Sequence, residues 1–161
     1  MRHAFRAGRC GSPVTMLGPA PDAALELTVR LADHYARDHR GPLGTFTVTN
    51  TGDRRITGMS GPAATVWIAR DGVVVTEPGA MPAVNVTVDL APGESLTSEL
   101  HSALRQCDPA PSDPAHVPGM PYPDDEPLAP GRHQVYVRWD LRPHDGPEIA
   151  LYAGPVGIDL R

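Results

Sequence analysis

Two Asp-His pairs stand five residues apart in "DHYARDHRG": Asp33-His34 and Asp38-His39. A carboxylate beside an imidazole orients the ring and raises its basicity, as it does for metal-bound histidines. His34 and His39 are therefore the candidate metal ligands. Their spacing works against a shared ion. Neighbours on a helical face lie three or four residues apart, and an odd offset on a strand sends two side chains to opposite faces. Only an irregular loop would unite the two rings, and a solvated polar loop is the default reading. A second stretch, "GMSGP", sets Ser60 in most of a nucleophile elbow, but Pro62 stands where the elbow needs glycine. It reads as a turn, and no catalytic residue is assigned. Cys10 and Cys107 are the only cysteines. They are too few for a zinc site without histidine help and lie in no Cys-x-x-Cys motif. They read as unrelated thiols, with a disulfide as the alternative in an oxidising compartment.

The strongest interaction signal is a segment rather than a catalytic motif. Residues 105–127, "RQCDPAPSDPAHVPGMPYPDDEP", hold seven prolines and five acidic residues around the isolated pair Met120 and Tyr122. A loop beyond about 15 residues in a compact domain is usually functional or disordered. Proline holds such a chain extended, so it loses little entropy on docking. Asp113, His116, Met120, Tyr122, Asp124 and Asp125 are the candidate binding residues, suited to a protein partner with a basic surface. Trp67 joins them as a tryptophan expected on the outer face of its sheet.

Composition removes other classes. The 14 basic residues are all arginine, so lysine chemistry of every kind is excluded. A net charge of −5 with no basic run longer than Arg54-Arg55 argues against nucleic acid as a partner. No stretch approaches the roughly 18 apolar residues of a membrane span, and the first residues lack the apolar centre of a signal peptide. A cytoplasmic location is expected, or a secreted one where a leader has been removed. No cofactor is assigned.

The elements that must position these residues read as strands. Pro and Gly exceed a fifth of the chain while aromatics are 5%, which suits short strands and turns. Residues 1–22 read as a flexible arm, and residues 23–161 as one domain. Leu25, Leu27, Val29 and Leu31 alternate, with a helical turn expected after them. "GTFTVTNTGD" is a strand and turn, and "ATVWIARDGVVVTE" is a hairpin on Asp71-Gly72. Val84, Val86, Val88 and Leu90 share one face, as do His133, Val135, Val137, Trp139 and Leu141. Trp139 is expected in the core. "EIALYAGPVGIDL" closes the chain as two short runs. "LAPG" occurs at Leu90 and at Leu128; the residues that follow differ, so the copies are two corners of one fold.

Read in order, "FTVTNTGD", "VDLAPGES" and "LAPGRHQVYVRWD" resemble bacterial immunoglobulin-like sandwich domains over residues 25–141, and are similar to the intracellular proteinase-inhibitor family of bacteria. The resemblance implies an antiparallel, all-β, Ig-like sandwich of eight or nine strands bearing the Pro-rich loop. It transfers no inhibitory residue, and it departs at His133, where the pattern has tyrosine. The function expected is a non-catalytic protein-interaction module acting through the loop or a sheet edge. The alternatives are a proteinase inhibitor and a small metal protein or enzyme using His34 and His39.

Overall fold

The computed structural model describes residues 2–108 and 126–161. Among the described residues there are twelve strands and no helix: β1 (His3–Arg6), β2 (Thr15–Pro19), β3 (Leu25–Leu31), β4 (His34–Tyr35), β5 (Gly44–Asn50), β6 (Ile56–Ser60), β7 (Thr65–Arg70), β8 (Val73–Thr76), β9 (Val86–Leu90), β10 (Ser95–Leu100), β11 (Gly131–Pro143) and β12 (Ile149–Leu160). Among the described residues no helix is long and apolar enough to cross a membrane.

Alternation sorts the side chains between core and solvent. In β5, Phe46 and Val48 are buried and Thr45, Thr47 and Thr49 point away. β5 is the centre of an antiparallel three-stranded sheet ordered β10-β5-β3. On its outer face Thr47 and Thr97 hydroxyls meet at 2.9 Å, and Thr49 and Ser95 at 2.7 Å. The second sheet is organised by β11. One edge pairs along its length with β12; the other is shared by β7 and β6, which continue into β8 and β9. Leu25, Leu27, Phe46 and Val48 of the first sheet pack with Val66, Ile68, Val88, Val135, Val137, Trp139 and Leu141 of the second in one core. The layering is sandwich-like.

Turn chemistry fixes the corners. Asp71 (φ 52°) and Gly72 (φ 79°) both take left-handed backbone, the pair of angles a two-residue hairpin turn needs. Asn50 is fully buried and fully used. Its Nδ2 donates to the Arg54 and Leu90 carbonyls at 2.7 and 2.9 Å, and its Oδ1 accepts from Gly52 N–H at 3.0 Å. The "NTGD" turn is thereby tied to the first "LAPG" corner, where Glu94 N–H donates to the Ala91 carbonyl at 2.9 Å. The second copy differs. Leu128 is buried, and Gly131 (φ 118°) opens β11 opposite Leu160.

The structure corrects several expectations. Within the stretch read as a flexible arm, β1 and β2 pair antiparallel, and Phe5 is buried. These strands carry no local signal because their pattern is completed only by residues far along the chain. No helical turn follows Leu31; β4 pairs parallel with the end of β12 instead. In "GMSGP", Gly58, Met59 and Ser60 belong to β6, and only Gly61-Pro62 breaks the strand. The C-terminal stretch is one strand, because β12 continues through Gly154-Pro155 opposite a bulge at Val135/Val137.

Candidate functional site

The Pro-rich segment leaves and re-enters the fold at one end of the sandwich. Asp113, His116, Met120, Tyr122, Asp124 and Asp125 lie outside the described residues. Both roots are held. Arg105 and Pro127 form an antiparallel bridge. Gln106 N–H donates to the Glu126 carbonyl at 2.8 Å, and Leu128 N–H to the Leu104 carbonyl at 3.1 Å. The outgoing root is also tied to β8, with Thr76 Oγ1 on the Arg105 carbonyl at 2.9 Å and Cys107 N–H on the Val75 carbonyl at 2.8 Å. Leu104 and Leu128 are buried just inside the two roots and anchor them to the core.

Cys10 and Cys107 are joined in a disulfide, with Cα atoms 5.9 Å apart across 97 residues of sequence. The reading as unrelated thiols is corrected. The cause is β8: Gly11 N–H donates to the Val74 carbonyl, Val74 N–H to the Ser12 carbonyl and Val14 N–H to the Gly72 carbonyl, while Cys107 bonds to Val75 beside them. One short strand draws both cysteines to the same place. Cys10 N–H also donates to Glu77 Oε1 at 2.6 Å.

The histidines expected as metal ligands are not assembled into a site. His34 lies in β4, exposed, with Asp159 as its backbone partner in β12. The His39 ring stands edge-on to Tyr35, 5.1 Å between centroids, and its Nε2 donates to the Pro42 carbonyl at 3.0 Å. Among the described residues no group of three or more His, Cys, Asp and Glu side chains is placed to hold a metal ion. His34 lies on a strand and His39 in the loop that follows it, so the two rings stand in different settings.

Around His39 the chemistry is cationic. A cleft of about 250 Å³ is lined by Arg37, Asp38, His39, Arg40, Ser102 and Arg105, with Arg37 Nε donating to the Leu128 carbonyl at 2.9 Å. Guanidinium groups on such a lining suit a carboxylate or phosphate, which their forked donors can orient. Arg37 and Arg40 were legible as neighbours in "YARDHRG"; Arg105 was not, because a tertiary bond from Leu43 N–H to the Leu100 carbonyl sets the two stretches side by side.

No protein-family model and no curated protein matches the sequence. The assignment of chemistry therefore rests on the geometry.

Two further residues complete the account. Trp67 does lie on the outer face of its sheet, yet it is only partly exposed, because Phe5 packs edge-on against it at 5.7 Å. It is covered by the chain's own N-terminal strand. His133, in the tyrosine position of the resembled pattern, is buried, and its Nδ1–H donates to the Gly131 carbonyl at 3.0 Å. Burial holds its basicity below the ordinary histidine range, outweighing the opposing carbonyl contact. It is a core residue.

Proposed function

We propose that this chain is an immunoglobulin-like protein-interaction module without catalytic activity, which presents residues 105–127 to a partner. The strand order supports the fold. β3, β5 and β10 lie side by side as the A, B and E strands of such domains do, and β12-β11-β7-β8 follow the order G-F-C-C′. The observation that carries the functional reading is the double anchoring of the segment: a bridge between Arg105 and Pro127, and a disulfide at Cys107. A binding segment held at both roots reaches its partner with less ordering still to be done. The five acidic residues of the segment favour a basic partner surface.

The test is affinity capture from the source organism with the intact chain beside a variant in which residues 109–125 are replaced by a short Gly-Ser link. The variant keeps Cys107 and the Arg105–Pro127 bridge, so its fold is preserved. A partner held by the intact chain and lost by the variant is the expected result, with binding that weakens as salt rises. Equal capture by both chains moves the site to the free edge of β9, where Val84 and Val86 are 57% and 44% exposed. A captured protease cut within the segment moves the reading to an inhibitor. Capture by neither ends the protein-binding reading.

A further inference from the structure

The outer face of a solvated antiparallel sheet is ordinarily polar. Here β7, β11 and β12 present Trp67, Tyr136 and Tyr152 outward, beside the buried Ala69. What covers them is β1. Phe5 stands edge-on to all three rings, with centroids 5.7, 5.1 and 5.2 Å away. Half of the Phe, Trp and Tyr residues of an aromatic-poor chain are thus committed to a single outer face. The cover is lightly built. β1 and β2 form a two-stranded sheet of their own, a unit marginal in isolation. Besides the apolar packing of Phe5, Ala7 and Val14, its ties are the Arg2 contacts to Glu26 and to the Leu25 carbonyl, both at 3.2 Å, the Cys10 N–H bond to Glu77, the backbone bonds of residues 11–14 to β8, and the Cys10–Cys107 disulfide.

We propose that this aromatic face is a docking surface for an extended segment with one aromatic side chain and basic neighbours, that residues 2–19 are its tethered occupant, and that reduction of Cys10–Cys107 lets a partner segment of the same chemistry replace them. The ligand chemistry is read from the occupant. Phe5 fills the slot between the rings, and Arg2, His3, Arg6 and Arg9 surround it in sequence. On the receiving side Glu26 pairs with Arg2, and Glu77 accepts from the backbone N–H of Cys10. The disulfide is what excludes competitors. With it, residues 2–19 are held covalently at two points, the chain connection to β3 and the link to Cys107; without it, at one, and only the backbone bonds of residues 11–14 and the Arg2 contacts still pin the far end. The high local concentration created by the second tether then disappears. The reductant is a dithiol. It gives two electrons and two protons, the S–S bond breaks to two thiols at Cys10 and Cys107, and the dithiol becomes its own disulfide. The aromatic face is separate from the Pro-rich segment, although the disulfide that governs it also anchors that segment at Cys107; the inference stands if that segment binds nothing.

The test uses the full chain, oxidised and reduced with dithiothreitol, and a fluorescent peptide of residues 2–19 carrying C10S. The expected result is saturable binding to the reduced chain, more than about tenfold tighter than to the oxidised one, and lost with an F5A peptide. Hydrogen exchange in residues 2–19 should accelerate on reduction while β11 and β12 stay protected. Acrylamide should quench Trp67 more strongly after reduction, with Trp139 (2% exposed) still shielded. A C10S/C107S variant should behave as the reduced chain; if it fails to fold, reduced wild type decides. Equal binding to both redox forms, no binding to either, or loss of the whole sandwich on reduction overturns the proposal.

Discussion

On the inward face of β11, Val135, Val137, Trp139 and Leu141 lie in a core to which both sheets contribute, whereas on the outward face Tyr136 is buried beneath a single inserted ring, Phe5. The residue types on the two faces are similar. The difference lies in what packs against them. The inner cluster loses its contacts only when the two sheets part, so its opening is global. The outer cluster loses them when a two-stranded flap lifts, so its opening is local and has its own, smaller free energy. Apolar burial on a strand can therefore serve the fold on one side and a removable cover on the other.

The inner face should be the costlier of the two to damage. Trp139→Ala removes an indole from a site closed on all sides and should cost about 3–5 kcal/mol, since the cavity left there collapses only partly. Urea unfolding by far-UV circular dichroism should show one cooperative transition at a much lower midpoint. Phe5→Ala, on the other face, should cost less, about 1.5–3 kcal/mol, the transfer value of one large apolar side chain. Its signature should also differ: exchange protection lost through residues 2–19 and Trp67 exposed, with β11 and β12 still protected. If Phe5→Ala lowers protection throughout the sandwich by as much as Trp139→Ala, the two faces form one cooperative unit and the comparison fails.

The same contrast explains what the sequence could reveal. His133, Val135, Val137, Trp139 and Leu141 repeat at period two, and all five are buried. A local pattern of that length is legible because each residue's face is decided within its own strand. Asp71-Gly72 was legible for a similar reason: only residues tolerant of positive φ make that turn. Phe5 was not. "HAFR" has no period to read, and its burial depends on Trp67, Tyr136 and Tyr152, more than 60 residues away or further. The Cys10–Cys107 link was hidden likewise, because pairing across 97 residues is set by where β8 runs. Val84 and Val86 show the converse error. They continue the alternation of Val88 and Leu90, yet they overhang the core and are exposed. Periodicity assigns a side of the strand; it does not say where the opposite sheet stops.

His133 reports whether the inner face stays dry at its end. Its ring is buried beside Val135 on the core side, and burial lowers its pKa from the ordinary 6.5, with the positive charge of Arg70 acting in the same direction. The native state then remains neutral at a pH where the unfolded chain has begun to bind a proton. As the unfolded state binds more protons in that window, stability rises with pH up to about 6.5 and is flat above it as far as this group is concerned. Acidification from pH 7.5 to 5.5 should therefore lower the urea midpoint, one proton setting a ceiling of about 1.4 kcal/mol per pH unit. His133→Asn keeps a donor for the Gly131 carbonyl and removes the titration. It should start from a lower stability at pH 7.5 and fall less steeply than the wild type on acidification. Identical slopes would mean that water reaches the ring, and that the core of β11 ends at Val135.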